Sequence, residues 1–186
     1  ERSPIVVVGG PTPALAPSPA PLSVAPPAVA PPVAVVPTTS EYDDLLKQAD
    51  SLKLAGKHDE AIGLANKMIL MDMEYVEAYE EIGDNYLSLR EYDRATKALK
   101  HALKIRPNSP NALYLLGFLY SSLGDFDKSV ETLETANRVQ PHHPEILRCL
   151  GWSIFHSGER RRGLVILERA RAMAPQDTLI MCDLAV

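Results

Sequence analysis

The stretch PNSPNALYLLGFLYSSLGDFDKSVETLETANRVQPHHP, residues 107–144, carries the marks that decide the fold. Its prolines stand in two pairs, Pro107 with Pro110 and Pro141 with Pro144, so each recurs after 34 residues, and Pro175 continues the first series. Glycine keeps the same step. Gly83, Gly117 and Gly151 form one series; Gly56, Gly124 and Gly158 form another, in which Arg90 fills the missing slot. Between these marks apolar residues recur at three- and four-residue intervals, the period of an amphipathic helix. The motif GDFD at 124–127 reads as a helix stop followed by a helix start, with REYD at 90–93 and GKHD at 56–59 in the same slot. Asp59, Asp93 and Asp127 are the expected N-caps of the helices that follow. A glycine inside a helix costs about 1 kcal/mol relative to alanine, so the series at 83, 117 and 151 implies close approach of a paired helix, with small residues opposite.

A 34-residue unit of two helices and a tight turn resembles the tetratricopeptide repeats. Units aligned at Tyr42, Val76, Pro110 and Pro144 place Leu45, Tyr79, Leu113 and Leu147 at the family's fourth position. Ile82-Gly83, Leu116-Gly117 and Leu150-Gly151 match its Leu-Gly pair, while Ala61, Ala95, Ser129 and Gly163 take its small position. Ala102, Ala136 and Ala170, then the terminal prolines 107, 141 and 175, complete the match. It covers residues 42–177 without insertion, as repeats 42–75, 76–109, 110–143 and 144–177, and 178–186 starts a truncated fifth or capping helix. The resemblance implies an all-α fold, a right-handed superhelical solenoid of antiparallel helix pairs. The first repeat departs from the pattern at Gln48, Met68 and Met73, as a terminal repeat that caps a stack does. The apolar TLIMCDLAV from Thr178 leaves Leu179, Ile180 and Leu184 expected to lack a covering helix.

Residues 1–40 have the opposite physics. Eleven of the 16 prolines lie there, with Ala and Val between them and only Glu1 and Arg2 charged before Glu41. Proline removes backbone donors and pushes its predecessor out of the helical region, so a disordered, polyproline-like tether is expected. At ~3.1 Å per residue it would reach on the order of 100 Å. PAVAPP at 27–32 is the alternative candidate, as a proline-rich ligand for another module or for the protein's own groove.

With 186 residues and 46% hydrophobic content, the chain has material for one domain and a tail. A net charge of -5 argues against nucleic acid and against anionic membrane surfaces, which call for a basic field. No proline-free run of ~18 apolar residues occurs, so no membrane insertion is expected. Cys149 and Cys182 are expected to be buried free thiols, since two cysteines make no disulfide framework and lack zinc or redox spacing. The chain opens at Glu1 and not at Met, which fits a processed product or a piece of something longer, with an upstream signal or anchor left open.

Enzyme chemistry finds no foothold. His142 and His143 have no Cys, Asp or Glu cluster to complete a metal shell, and Cys149 and His156 lie almost two helical turns apart, too far for a nucleophile–base pair. VVVGG at 6–10 lacks the lysine and helix of a phosphate loop. No cofactor, metal site or catalytic residue is expected.

The acids of YVEAYEEIGDNYLSL, residues 75–89, pose the remaining question. Glu77, Glu80 and Asp84 line up along one stripe, where like charges cost roughly 0.2–0.5 kcal/mol per pair, so either water solvates them or a cationic partner uses them. In the family the first helices of successive repeats line a concave groove. The resemblance puts Asp50, Glu77, Glu80, Asp84, Asn111, Tyr114, Phe118, Arg148, Trp152 and Phe155 on that face. The groove is then acidic in its first half and aromatic in its second. The implied function is non-catalytic: an adaptor or chaperone module that binds a protein or peptide segment with basic and apolar residues. Two alternatives stand beside it: a self-associating scaffold tethered by the proline-rich arm, and a regulatory piece of a larger enzyme. The chaperone-cofactor clamp for a C-terminal carboxylate is absent, because Leu46, Asp50, Asn111 and Leu115 stand at its slots.

Overall fold

A computed structural model describes residues 39–185. The proline-rich segment expected as a tether, and with it the PAVAPP candidate, lies outside the described residues. Nine α-helices and no strand occur among the described residues: α1 (Thr39–Leu54), α2 (His58–Met71), α3 (Val76–Ser88), α4 (Tyr92–Ile105), α5 (Pro110–Ser122), α6 (Phe126–Val139), α7 (Pro144–His156), α8 (Arg160–Met173) and α9 (Thr178–Leu184). Each odd-numbered helix packs against the even one after it, and each pair packs on the next. The result is an all-α solenoid.

The turn within each pair follows from one residue. Gly56 (φ 72°), Arg90 (φ 61°), Gly124 (φ 78°) and Gly158 (φ 108°) are left-handed. In the first three pairs the backbone closes as a Schellman motif. Gly56 N–H donates to Lys53 O and Lys57 N–H to Leu52 O, and the same two bonds recur at Arg90–Glu91 and at Gly124–Asp125. This tight closure starts the next helix two residues earlier than the GDFD slot predicts. Asp59, Asp93 and Asp127 are therefore not N-caps; they lie inside the first turns, where their charge still faces the positive helix end. The N-cap of α6 is Asp125, which accepts from Lys128 N–H.

Close helix approach explains the other glycine series. A Cβ added at Gly117 would lie 2.5 Å from Leu133 Cγ, and one at Gly83 2.6 Å from Leu99 Cγ. The buried leucines Leu99, Leu133 and Leu167 fill the space, and the small residues sit beside them: Ser129 Oγ donates to Gly117 O at 2.8 Å. Buried apolar residues recur in this way along the stack, from Tyr42, Leu45 and Met68 to Leu147, Ala170 and Ile180.

Two expectations about the chain's last part need correction. Ile180 is fully buried against Leu147 and Ala170, and Leu184 is half-buried on the same cluster, so of the three only Leu179 is open, with Met181 beside it. The helical period turns Ile180 and Leu184 onto α7 and α8. Cys149 is buried as expected, but Cys182 is exposed, because α9 presents that side outward.

Candidate functional site

The acidic stripe of α3 is largely answered from within the chain. Glu80 is buried, with its carboxylate accepting from Ser109 Oγ and from Asn111 Nδ2 at 2.9 Å. Ser109 is also the N-cap of α5, accepting from Ala112 N–H, so it joins two repeats through one hydroxyl. Glu80 and Asn111 thus form an inter-repeat joint that buries the Glu80 carboxylate, while Asn111 itself stays exposed. Glu77 pairs with Arg106 at 2.7 Å. Asp84 lies 2.9 Å from Lys53 Nζ, which also reaches Glu81 at 3.3 Å and Asp50 at 3.1 Å.

Three carboxylates therefore share one ammonium. Partial burial pulls the Lys53 ammonium down, but Asp84, Glu81 and Asp50 together outweigh that and hold it above its ordinary value. Burial pushes the Glu81 carboxyl up, against the pull of Lys53. The cluster keeps surplus negative charge, and Asp50 and Asp84 retain solvent-facing oxygen. Glu81 did not stand among the expected groove residues, and the burial of Asn85, whose Oδ1 meets His58 Nδ1 at 3.0 Å, had no sequence signal.

The aromatic half divides. Tyr114 is packed between repeats, where burial raises its phenol and raises the neighbouring Cys149 thiol to about 11, so its ring serves the core and not an open face. Phe155 turns toward Arg160, whose guanidinium lies 5.5 Å from its ring, and toward His156. Phe118 is different: it stays 38% exposed. It forms one wall of a cavity of about 140 Å³ bounded by Arg148, Cys149, Trp152 and Asp183. On its other side it bounds a second cavity of about 450 Å³ with Asp84, Leu87, Arg90 and Tyr92. The two adjoin through Phe118 and Ser122.

Arg148 lies at the floor of the smaller cavity. Its Nη1 donates to Asp183 at 3.1 Å, and its Nε is buried without a hydrogen-bond partner. Of the ten expected residues, the structure brings Phe118, Arg148 and Trp152 around one cavity and sets Asp84 on the next, with Asp50 joined to it through Lys53. Asp183 and Arg90 were missed. The signal for Arg90 was present, since it occupies a slot held elsewhere by glycine. Among the described residues no cluster of His, Cys, Asp and Glu could hold a metal ion, and no helix is long and apolar enough to cross a membrane.

Comparison with known proteins agrees with this architecture. The family model described as tetratricopeptide repeat matches residues 86–151. The chain is similar to a crystal structure of MamA, with 25% identity and a TM-score of 0.61 over 72% of this chain and 78% of that one. It is similar to a thermophilic TPR protein of Thermus thermophilus, with 21% identity and a TM-score of 0.68 over 77% and 79%. PilF of Pseudomonas aeruginosa shares the fold at 13% identity, with a TM-score of 0.72 over 78% and 67%. No curated protein is significantly similar to the chain.

Proposed function

We infer that the helical part of this chain, a tetratricopeptide-repeat solenoid, is a protein-interaction scaffold whose groove binds a peptide segment, as an adaptor or chaperone module would. The observation that carries this reading is Phe118. An aromatic ring left 38% exposed between two adjoining cavities, one of which Trp152 of α7 also lines, has the placement of a recognition anchor. The Asp50–Glu81–Asp84 cluster, which Lys53 alone does not neutralise, favours a ligand that brings a second cation. Calorimetric titration of the full chain with apolar peptides carrying one lysine tests the reading. Phe118→Ala is expected to cost about 2 kcal/mol or more of binding energy. Equal affinity for parent and variant contradicts it.

A second reading, self-association, draws on Leu179 and Met181, which are 58% and 45% exposed on α9. Apolar side chains left open in this way on a repeat stack call for cover.

A further inference from the structure

The spacing and hydrogen-bonding character of the groove define its ligand further. Helix α5 packs against both α3 and α7. Packed helices lie about 8–10 Å apart, so the cavity between α3 and α5 and the cavity between α5 and α7 repeat at that interval. A peptide that fills both must present same-side residues at the same spacing. A β-strand presents them every ~6.7 Å. A helix presents them at ~6 Å for four residues or ~10.5 Å for seven, on a body about 10 Å thick. A polyproline helix brings residues i and i+3 to the same side after roughly 9.3 Å.

The donors agree with the spacing. Arg148 Nε is buried and unpartnered at the smaller cavity, and the Arg90 side chain at the larger one forms no hydrogen bond or ion pair among the described residues. A helical ligand has already used its own carbonyls. A polyproline helix leaves its carbonyls free and, at each proline, has no N–H to satisfy. A site with unused donors beside aromatic walls matches a backbone with unused acceptors.

Resting on the groove reading above, we propose that the occupant is a proline-rich segment in the polyproline conformation. It places an apolar residue between Phe118 and Trp152 and, three residues away, a Lys or Arg beside Asp84, where the surplus carboxylate charge lies. The smaller cavity, at about 140 Å³, is close to the ~150 Å³ that holds a benzene-sized group, so it takes one proline, valine or leucine side chain.

Trp152 is the only tryptophan in the chain, so its emission reports on this cavity alone. The experiment titrates the full chain with the synthetic peptide PAVAPPVAVVP bearing one added lysine, with the same peptide having every proline replaced by glycine, and with a lysine-bearing amphipathic helical peptide. The proposal expects the proline peptide to shift Trp152 emission with at least tenfold higher affinity than the glycine form, and Phe118→Ala to weaken it at least tenfold with helicity unchanged. Arg148→Gln is expected to weaken it about tenfold. Equal affinity for proline and glycine forms overturns the proposal. A response to the helical peptide alone overturns it while leaving the peptide-groove reading intact, and no response to any of the three overturns both.

Discussion

Lys53 Nζ of α1 lies 2.9 Å from Asp84 Oδ2 of α3, joining the first helices of two successive repeats through an ion pair that also draws in Glu81 and Asp50. The acidic half of the groove therefore begins with an internal counter-ion, and any ligand cation adds to it.

Replacing that counter-ion tests its structural share. Lys53→Met keeps the aliphatic stem and leaves three carboxylates unopposed, and urea unfolding is expected to show a loss of about 1–2 kcal/mol, since the site is only half-buried. A loss below ~0.3 kcal/mol means the pair is a screened surface contact.

Glu81 gives that cluster a pH signature. Burial raises its folded carboxyl pKa, so the folded state holds this proton more tightly than the unfolded chain does. Its contribution is fully present below the unfolded value and is lost as pH rises through the folded one. Thermal melts across that window are expected to show a smaller decline with rising pH for Glu81→Gln than for the parent. The opposite difference would mean that Lys53 outweighs burial.

The Glu80–Ser109 joint is expected to be costly to break. Ser109→Ala removes both a hydrogen bond to a buried carboxylate and the N-cap of α5, a loss of about 2–3 kcal/mol. In a double-mutant cycle with Glu80→Gln the coupling is expected to reach at least ~1 kcal/mol. Additive losses would mean the two residues act separately.

Arg90 adopts the backbone conformation that glycine supplies in the other turns, which for a side-chain-bearing residue costs about 1 kcal/mol. Arg90→Gly is accordingly expected to raise stability by up to ~1 kcal/mol while weakening capture of any ligand that uses the larger cavity. A stability gain without change in binding would remove Arg90 from the site.

The solenoid was legible in the sequence because its geometry imposes local demands: φ > 0 at 56, 124 and 158, and no Cβ at 83, 117 and 151, where Leu99, Leu133 and Leu167 approach. Such demands leave glycines at a fixed step. The groove was less legible, since the fate of an acid depends on what the next repeat places opposite it. Helical period alone sets Glu77, Glu80 and Asp84 side by side, yet Ser109 and Asn111 bury the second while Arg106 and Lys53 pair with the others. Tyr114 likewise shares its helix with Phe118 but turns into the joint with α7. The exposure of α9 was overread, because seven residues with apolar side chains all round carry no sign of which side meets α7 and α8.

The central claim is that the groove of the first helices, around Phe118, holds the ligand. Amide and indole chemical-shift mapping of the full chain, titrated with a lysine-bearing proline-rich peptide, measures this residue by residue. The largest shifts are expected at the Trp152 indole N–H and at Phe118, Ser122 and Asp84, with α2, α6, α8 and the part of α4 beyond Tyr92 nearly unmoved. Shifts concentrated on those second helices, or spread evenly over the chain, would contradict it.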